Sequence, residues 1–253
     1  MRFRKIALAL FGCVALGAFA ANAAQASGEG WIIEGSAIPS GTHERIKCSK
    51  HGTSSLVFTT TLLGSPVELT TEGIDCLEKA GSTSGATIDN TTSKGHGEGV
   101  LTFTGVKVVK PTNCEVPGGE LTTKQLTAEV IMDPTAGSTV MFTRLFPETA
   151  ATGVITVEFA GVKCPLAEDS ATVKGAACGE AVHTNAGGTG YEANLTDGIK
   201  PVTILLLGSA QQTTGNSTAK PCALTFGTVA AQLTGAVDFE LAGTNAGKSY
   251  GAD

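Results

Sequence analysis

Four short segments of this chain share a pattern that suits a strand and no helix. Leu69–Cys76 reads LTTEGIDC, Leu101–Val108 reads LTFTGVKV, Val157–Cys164 reads VEFAGVKC, and a fainter copy around Gly235 reads AQLTGAV. In each, residues alternate and then meet a glycine. A period of two puts successive side chains on opposite faces of an extended strand, whereas an amphipathic helix needs 3.6. Glycine at a fixed place within such a strand marks a bulge, a bend or the close approach of another backbone. The glycines Gly73, Gly105, Gly161 and Gly235 lie 32, 56 and 74 residues apart, which excludes a fixed-period solenoid. One strand type reused within an antiparallel β-sandwich is the expected fold.

Composition points the same way. Charged residues make up 16 % of the chain against about 25 % in ordinary proteins, and glycine contributes 33 positions. Thr and Val are β-branched and suit a pleated surface, while Gly permits hairpin turns. Further strands are expected at Leu56–Leu62, Leu126–Met132, Val140–Phe146, Val202–Leu207 and Ala223–Val229, with a short helix as an option at Cys76–Ala80 or Thr123–Val130. Two longer stretches also match: GVLTFTGVK from Gly99 and GVITVEFAGVK from Gly153, each followed by a cysteine. Two related β modules over residues 27–147 and 148–253 follow from that match. A single large sandwich is the alternative, since Thr- and Val-rich strands resemble one another by composition alone.

The first 26 residues are read apart from the fold. Arg2, Arg4 and Lys5 precede an uncharged apolar run from Ile6 to Ala20, and two small-x-small sites follow at Ala21–Ala23 and Ala24–Ala26. This is the pattern of a secretory signal peptide, with an apolar run too short for a membrane-spanning helix. Cleavage before Cys13 as a lipoprotein fits less well, because Phe11 is bulky for that site and Val14–Ala20 stay apolar. Without the leader's three basic groups, the 17 Lys and Arg fall to 14 against 23 Asp and Glu, a formal net charge of about −9. Such a chain does not attract phosphate backbones or anionic lipid, so neither nucleic acid nor an anionic membrane surface is an expected partner, and the short apolar run with no stop-transfer segment after it leaves no membrane span expected.

Export gives the cysteines their meaning. Once Cys13 leaves with the leader, six remain: Cys48, Cys76, Cys114, Cys164, Cys178 and Cys222. An even number in an exported chain reads as a disulfide set. Proximity in sequence favours Cys48 with Cys76 and Cys164 with Cys178, leaving Cys114 with Cys222. Cys48 and His51 have the spacing of half a zinc site, but no second half follows, and neither a metal nor a cofactor is expected.

Catalytic signals are sparse. His43, His51, His96 and His183 form no metal motif, and no Gly-x-Ser-x-Gly elbow occurs. His183 stands out because it follows an apolar strand end and precedes the glycine-rich TNAGGTGYE; with Glu180 or Glu192 it is the candidate general base of a secreted hydrolase. Asp89 with Asn90, Glu168 with Asp169, and Asp197 lack calcium-loop spacing and read as solvated turn residues. A carbohydrate or small-molecule binder would need a pocket holding Trp31, Tyr191 or Tyr250.

The leader, the Gly- and Thr-rich strands, FTGVKV followed by CEVPGGELTT, and the ending GTVAAQLTGAVDFELAGTNAGKSYGAD together resemble small exported bacterial proteins. That resemblance implies a periplasmic, extracellular or cell-surface setting and no catalytic residue. The leading expectation is therefore a non-catalytic exported β protein with a structural or binding role, its partner either another copy or a surface glycan. Strands such as LVFTTTLL and PVTILLLG would serve self-association if their edges were free.

Overall fold

The computed structural model describes residues 30–252, apart from 54, 82, 92, 94, 133–140, 150–152, 168, 182–190, 193–201, 208–211 and 214–219. The described residues are all-β with antiparallel pairing and sandwich-like layering, and they hold no α-helix. The strands expected at Leu56–Leu62, Leu126–Met132 and Val202–Leu207 are present at those bounds, and two others are Met141–Pro147 and Leu224–Phe226. The optional helices are not: Gly73–Leu77 and Leu126–Met132 are strands. Gly73–Leu77 pairs along its length with His96–Thr104, and Leu126–Met132 pairs with it through Leu126–Glu129 and with Met141–Pro147 throughout, so tertiary pairing outweighs the weak local preference.

The long strand Val229–Leu241 organises the sheet. One side pairs with Leu224–Phe226 and then with Val202–Leu207. The other side pairs first with Leu56–Leu62, through Gln232–Thr234, and then with His43–Lys50, through Val237–Leu241. The switch happens across Gly235, which has φ +132°. A Cβ there would lie 2.6 Å from Leu56 Cδ2 and 3.1 Å from its Cα, so the chain both turns and is crossed at this point.

Gly73 and Gly105 mark the same event, a change of strand partner, and Gly161 marks a close approach of backbone. Ser65–Thr71 pairs with Leu56–Leu62, whereas the residues from Gly73 to Leu77 pair with His96–Thr104. His96–Thr104 in turn ends just before Gly105, and Lys107–Lys110 pairs with Ser65–Thr71. At Gly161, with φ +129°, a Cβ would sit 2.3 Å from the Asn113 carbonyl. The motif read as one reused strand is thus a strand plus its corner, of the kind that lets a chain pass between packed layers.

Pairing runs across residue 147 repeatedly: Met141–Pro147 joins Ala177–Ala181, His43–Lys50 joins Val229–Leu241, and Trp31–Ile33 joins Tyr250–Ala252. The buried clusters are mixed likewise. Val67, Val116, Val157 and Phe226 share one, and Trp31, Ile88, Leu241 and Tyr250 share another.

All six cysteines are bridged, as Cys48–Cys76, Cys114–Cys164 and Cys178–Cys222. The first pair is the one proximity favoured; the expected Cys164–Cys178 and Cys114–Cys222 are corrected. Backbone pairing decides the difference. Glu115 and Ala160 exchange two N–H to carbonyl bonds of 2.9 Å, which brings Cys114 to Cys164. Gly175 lies opposite Leu224, and Ala176 N donates to Ala223 O at 3.0 Å, which brings Cys178 to Cys222. The two corrected bridges close separations of 50 and 44 residues, each worth about 4 kcal/mol in the chain-entropy model. Three such bridges place the folded chain in an oxidising, extracellular or periplasmic type of environment. No helix of the described residues is long and apolar enough to cross a membrane.

Candidate functional site

Two places in the interior hold the chemistry. The first is a polar knot on the strand Ala86–Asp89, which lies between His43–Lys50 and His96–Thr104. Asp89 ends that strand and stands opposite a histidine on each side, His43 and His96. Its Oδ2 lies 2.9 Å from His96 Nδ1 and 3.4 Å from His43 Nδ1, and its Oδ1 accepts from Thr91 N at 2.7 Å. Only 1 % of Asp89 is exposed, and a carboxylate so buried requires such partners. Asn90 beside it uses both ends of its amide. Oδ1 accepts from Trp31 N at 2.8 Å and Gly95 N at 3.1 Å, while Nδ2 donates to Trp31 O at 2.8 Å and Ile38 O at 3.1 Å. Trp31 Nε1 donates to His96 O at 2.6 Å, so the strand Trp31–Ile33, which pairs with Ser36–Ala37 on one side and Tyr250–Ala252 on the other, is also tied to Asn90 and His96.

A carboxylate holding Nδ1 of an imidazole is the arrangement that prepares Nε2 for acid–base work. Here His96 is itself buried, and its Nε2 lies 3.5 Å from Glu98 Oε1. Among the described residues no hydroxyl or thiol is hydrogen-bonded to that ring. The pair joins two neighbouring strands and faces no nucleophile among the described residues. Asp89, expected as a solvated turn residue, is corrected to a buried one. Strict alternation with Ala86 and Ile88 inside would turn Asp89 outward, yet it is 1 % exposed, held between His43 and His96 on the two flanking strands and the Thr91 amide.

The second place is a cavity of about 100 Å³ between the layers, walled by side chains such as Leu56, Phe58, Phe103, Val157, Leu224 and Leu233. A smaller one of about 50 Å³ has Trp31 and Tyr250 in its wall, their ring centroids 6.1 Å apart. Both are lined by Leu101, Leu126, Thr143, Leu145 and Phe239. The buried threonines of this region are bonded with one exception. Thr71 Oγ1 donates toward Gly73 O at 2.6 Å and Thr104 O at 2.7 Å as a shared bond, and Thr123 Oγ1 accepts from Leu101 N at 2.9 Å. Thr143 Oγ1 is buried and has no partner among the described residues.

The residues singled out by sequence fall as follows. His183 lies outside the described residues, and of Glu180 and Glu192 only the backbone pairing is described, opposite Phe142 and Gly251. Cys48 is spent in a disulfide, and His51 Nδ1 lies 2.8 Å from Asp238 Oδ1, so the half zinc site is not assembled. Among the described residues no group of three or more His, Cys, Asp or Glu could hold a metal. Trp31 and Tyr250 are buried and form no open platform. Leu56–Leu62 and Val202–Leu207 each have a strand on both sides, so neither offers the free edge that self-association through them would need. Thr143 escaped notice because one threonine carries no signal in a threonine-rich chain.

No protein-family model, curated protein or solved structure matches this chain.

Proposed function

We propose that this chain is an exported, non-catalytic β protein of a bacterial periplasm, cell surface or surroundings, released after residue 26 and acting as a binding module. The observation that carries the reading is the division of the interior. The ionisable pair Asp89 and His96 is buried and bonded within the sheet, beside the point where the His96 carbonyl holds Trp31, while space is left among apolar side chains around Thr143. Catalysis would call for the reverse, a reactive pair facing the open space. The three disulfides support the extracytoplasmic setting, since thiols are kept reduced in the cytosol.

Expression with the leader in a secreting bacterium tests this. The protein is expected in periplasm or medium, with a mature amino terminus near Ser27, no thiol open to alkylation, and no turnover of ester, peptide or glycoside substrates. A lipid-modified species beginning at Cys13 overturns the free form. Hydrolysis abolished by His183→Ala overturns the non-catalytic role.

A further inference from the structure

We propose that the interior cavity is the ligand site, and that its ligand is an uncharged, mostly hydrocarbon small molecule with one hydrogen-bonding group that pairs with the Thr143 hydroxyl. This deepens the binding role proposed above and rests on it.

The chemistry of the walls narrows the ligand. No ionisable side chain lines the larger cavity, and Glu98 alone lines the smaller one. A charged ligand entering the larger space would lose its hydration with no counter-charge to replace it, and a sugar would leave most of its hydroxyls unpaired. A hydrocarbon body meets neither cost. Size narrows it further: apolar protein cavities of about 150 Å³ stay dry and admit benzene, and the two spaces here measure about 100 and 50 Å³. A ring or a short chain is the scale that fits.

Thr143 supplies the polar handle. Thr71 and Thr123 nearby direct their hydroxyls to backbone groups, so their polarity is already used. Thr143 is 6 % exposed, lines both spaces, and its hydroxyl is the buried side-chain group without a partner among the described residues. Leaving a buried hydroxyl unmade is costly, and the cost is recovered when a ligand brings an alcohol, phenol or carbonyl to it. In the larger space water is a poor substitute, because a buried water needs two to four polar partners and the buried hydroxyls of Thr71 and Thr123 in that wall are already bonded. The hydroxyl both donates and accepts, its hydrogen rotating to suit the ligand group it meets.

Phenol and toluene test the idea, since they share a shape and differ by one hydroxyl. Both are titrated into the oxidised mature protein by NMR shift changes, in wild type, Thr143→Val, Thr143→Ser and Leu101→Phe. Toluene is expected to bind wild type and Thr143→Val alike. Phenol affinity relative to toluene is expected to fall roughly two- to tenfold in Thr143→Val, the range of one neutral hydrogen bond, and to return in Thr143→Ser. Leu101→Phe, which fills the wall shared by both spaces, is expected to weaken both probes at least tenfold; if it fails to fold, the two Thr143 variants still decide. The proposal is overturned if neither probe binds folded wild type at millimolar concentration, or if the phenol-to-toluene ratio is the same in all three Thr143 forms. Export without hydrolysis alongside either result keeps the binding role and removes this ligand class, whereas His183-dependent hydrolysis removes the role itself.

Discussion

The knot around Asn90 and the cavity around Thr143 lie in one interior and obey opposite rules. At the knot every polar atom named is matched: four bonds for Asn90, two histidines and a backbone amide for Asp89, an indole N–H for the His96 carbonyl. Around Thr143 the walls are hydrocarbon, the packing leaves room, and one hydroxyl is unmatched. Buried polar groups stabilise a fold when the network is complete and destabilise it when it is not. The difference teaches where this molecule commits free energy to its own stability and where it holds capacity for something else.

If the knot is purely structural, breaking it should cost stability and little else. Trp31→Ala is expected to have the largest effect, about 3–5 kcal/mol, because it deletes a buried ring packed near Tyr250 together with its N–H bond to His96 O. Asn90→Ala should follow at about 2–4 kcal/mol, since two part-buried N–H donors and two carbonyl acceptors lose their partner at once. Asn90→Asp sharpens the point: it can still accept from Trp31 N and Gly95 N but sets a carboxylate against the Trp31 and Ile38 carbonyls. Its loss should approach that of the alanine variant. Denaturant midpoints measure all three, and a change under about 1 kcal/mol for Trp31→Ala would break the structural reading of the knot.

The Thr143 variant carries the opposite sign. Removing an unmatched buried hydroxyl while keeping the shape takes away a desolvation penalty, so Thr143→Val is expected to stabilise the protein without ligand by about 1 kcal/mol. Thermal unfolding reads it as a raised midpoint. A lowered midpoint would mean that the hydroxyl already has a strong partner, and the contrast between the two regions would vanish.

How far the sequence led is visible at particular residues. The glycines Gly73, Gly105, Gly161 and Gly235 were legible as special positions inside strands because alternation breaks there. That Gly73, Gly105 and Gly235 mark a change of strand partner was not, since partner choice depends on strands far away in sequence, as when Gln232 meets Thr59 and Leu241 meets Ile46. Six bridged cysteines followed from the leader and their even number. Two of the three pairs did not, because Cys114–Cys164 and Cys178–Cys222 follow from strand register rather than from nearness in sequence. The knot was hidden because Asp89, beside Asn90 and without calcium-loop spacing, read as a solvated turn residue, and only the strands that bring His43 and His96 to either side of it show it buried. Thr143 had no local signal, for a cavity belongs to twelve strands at once and to none of them singly.

The smallest expected effect comes from a charge pair on the surface, and it separates interior polarity from polarity in general. The Lys107 ammonium, hydrogen-bonded to Glu72, holds that carboxyl below the ordinary glutamate range, helped by the charge itself and by Lys50 against a slight opposing effect of desolvation. A carboxyl whose folded pKa is depressed adds stability that is present above its unfolded value of about 4.3 and is lost as pH falls through the lower folded one. Glu72→Gln should therefore narrow the gap between midpoints measured near pH 6 and pH 3, with wild type and variant converging at the acid end. Both side chains are well exposed, so salt should shrink the difference further. A Glu72 effect that survives high salt and rivals that of Asn90 would show that position in the interior is not what gives the knot its weight.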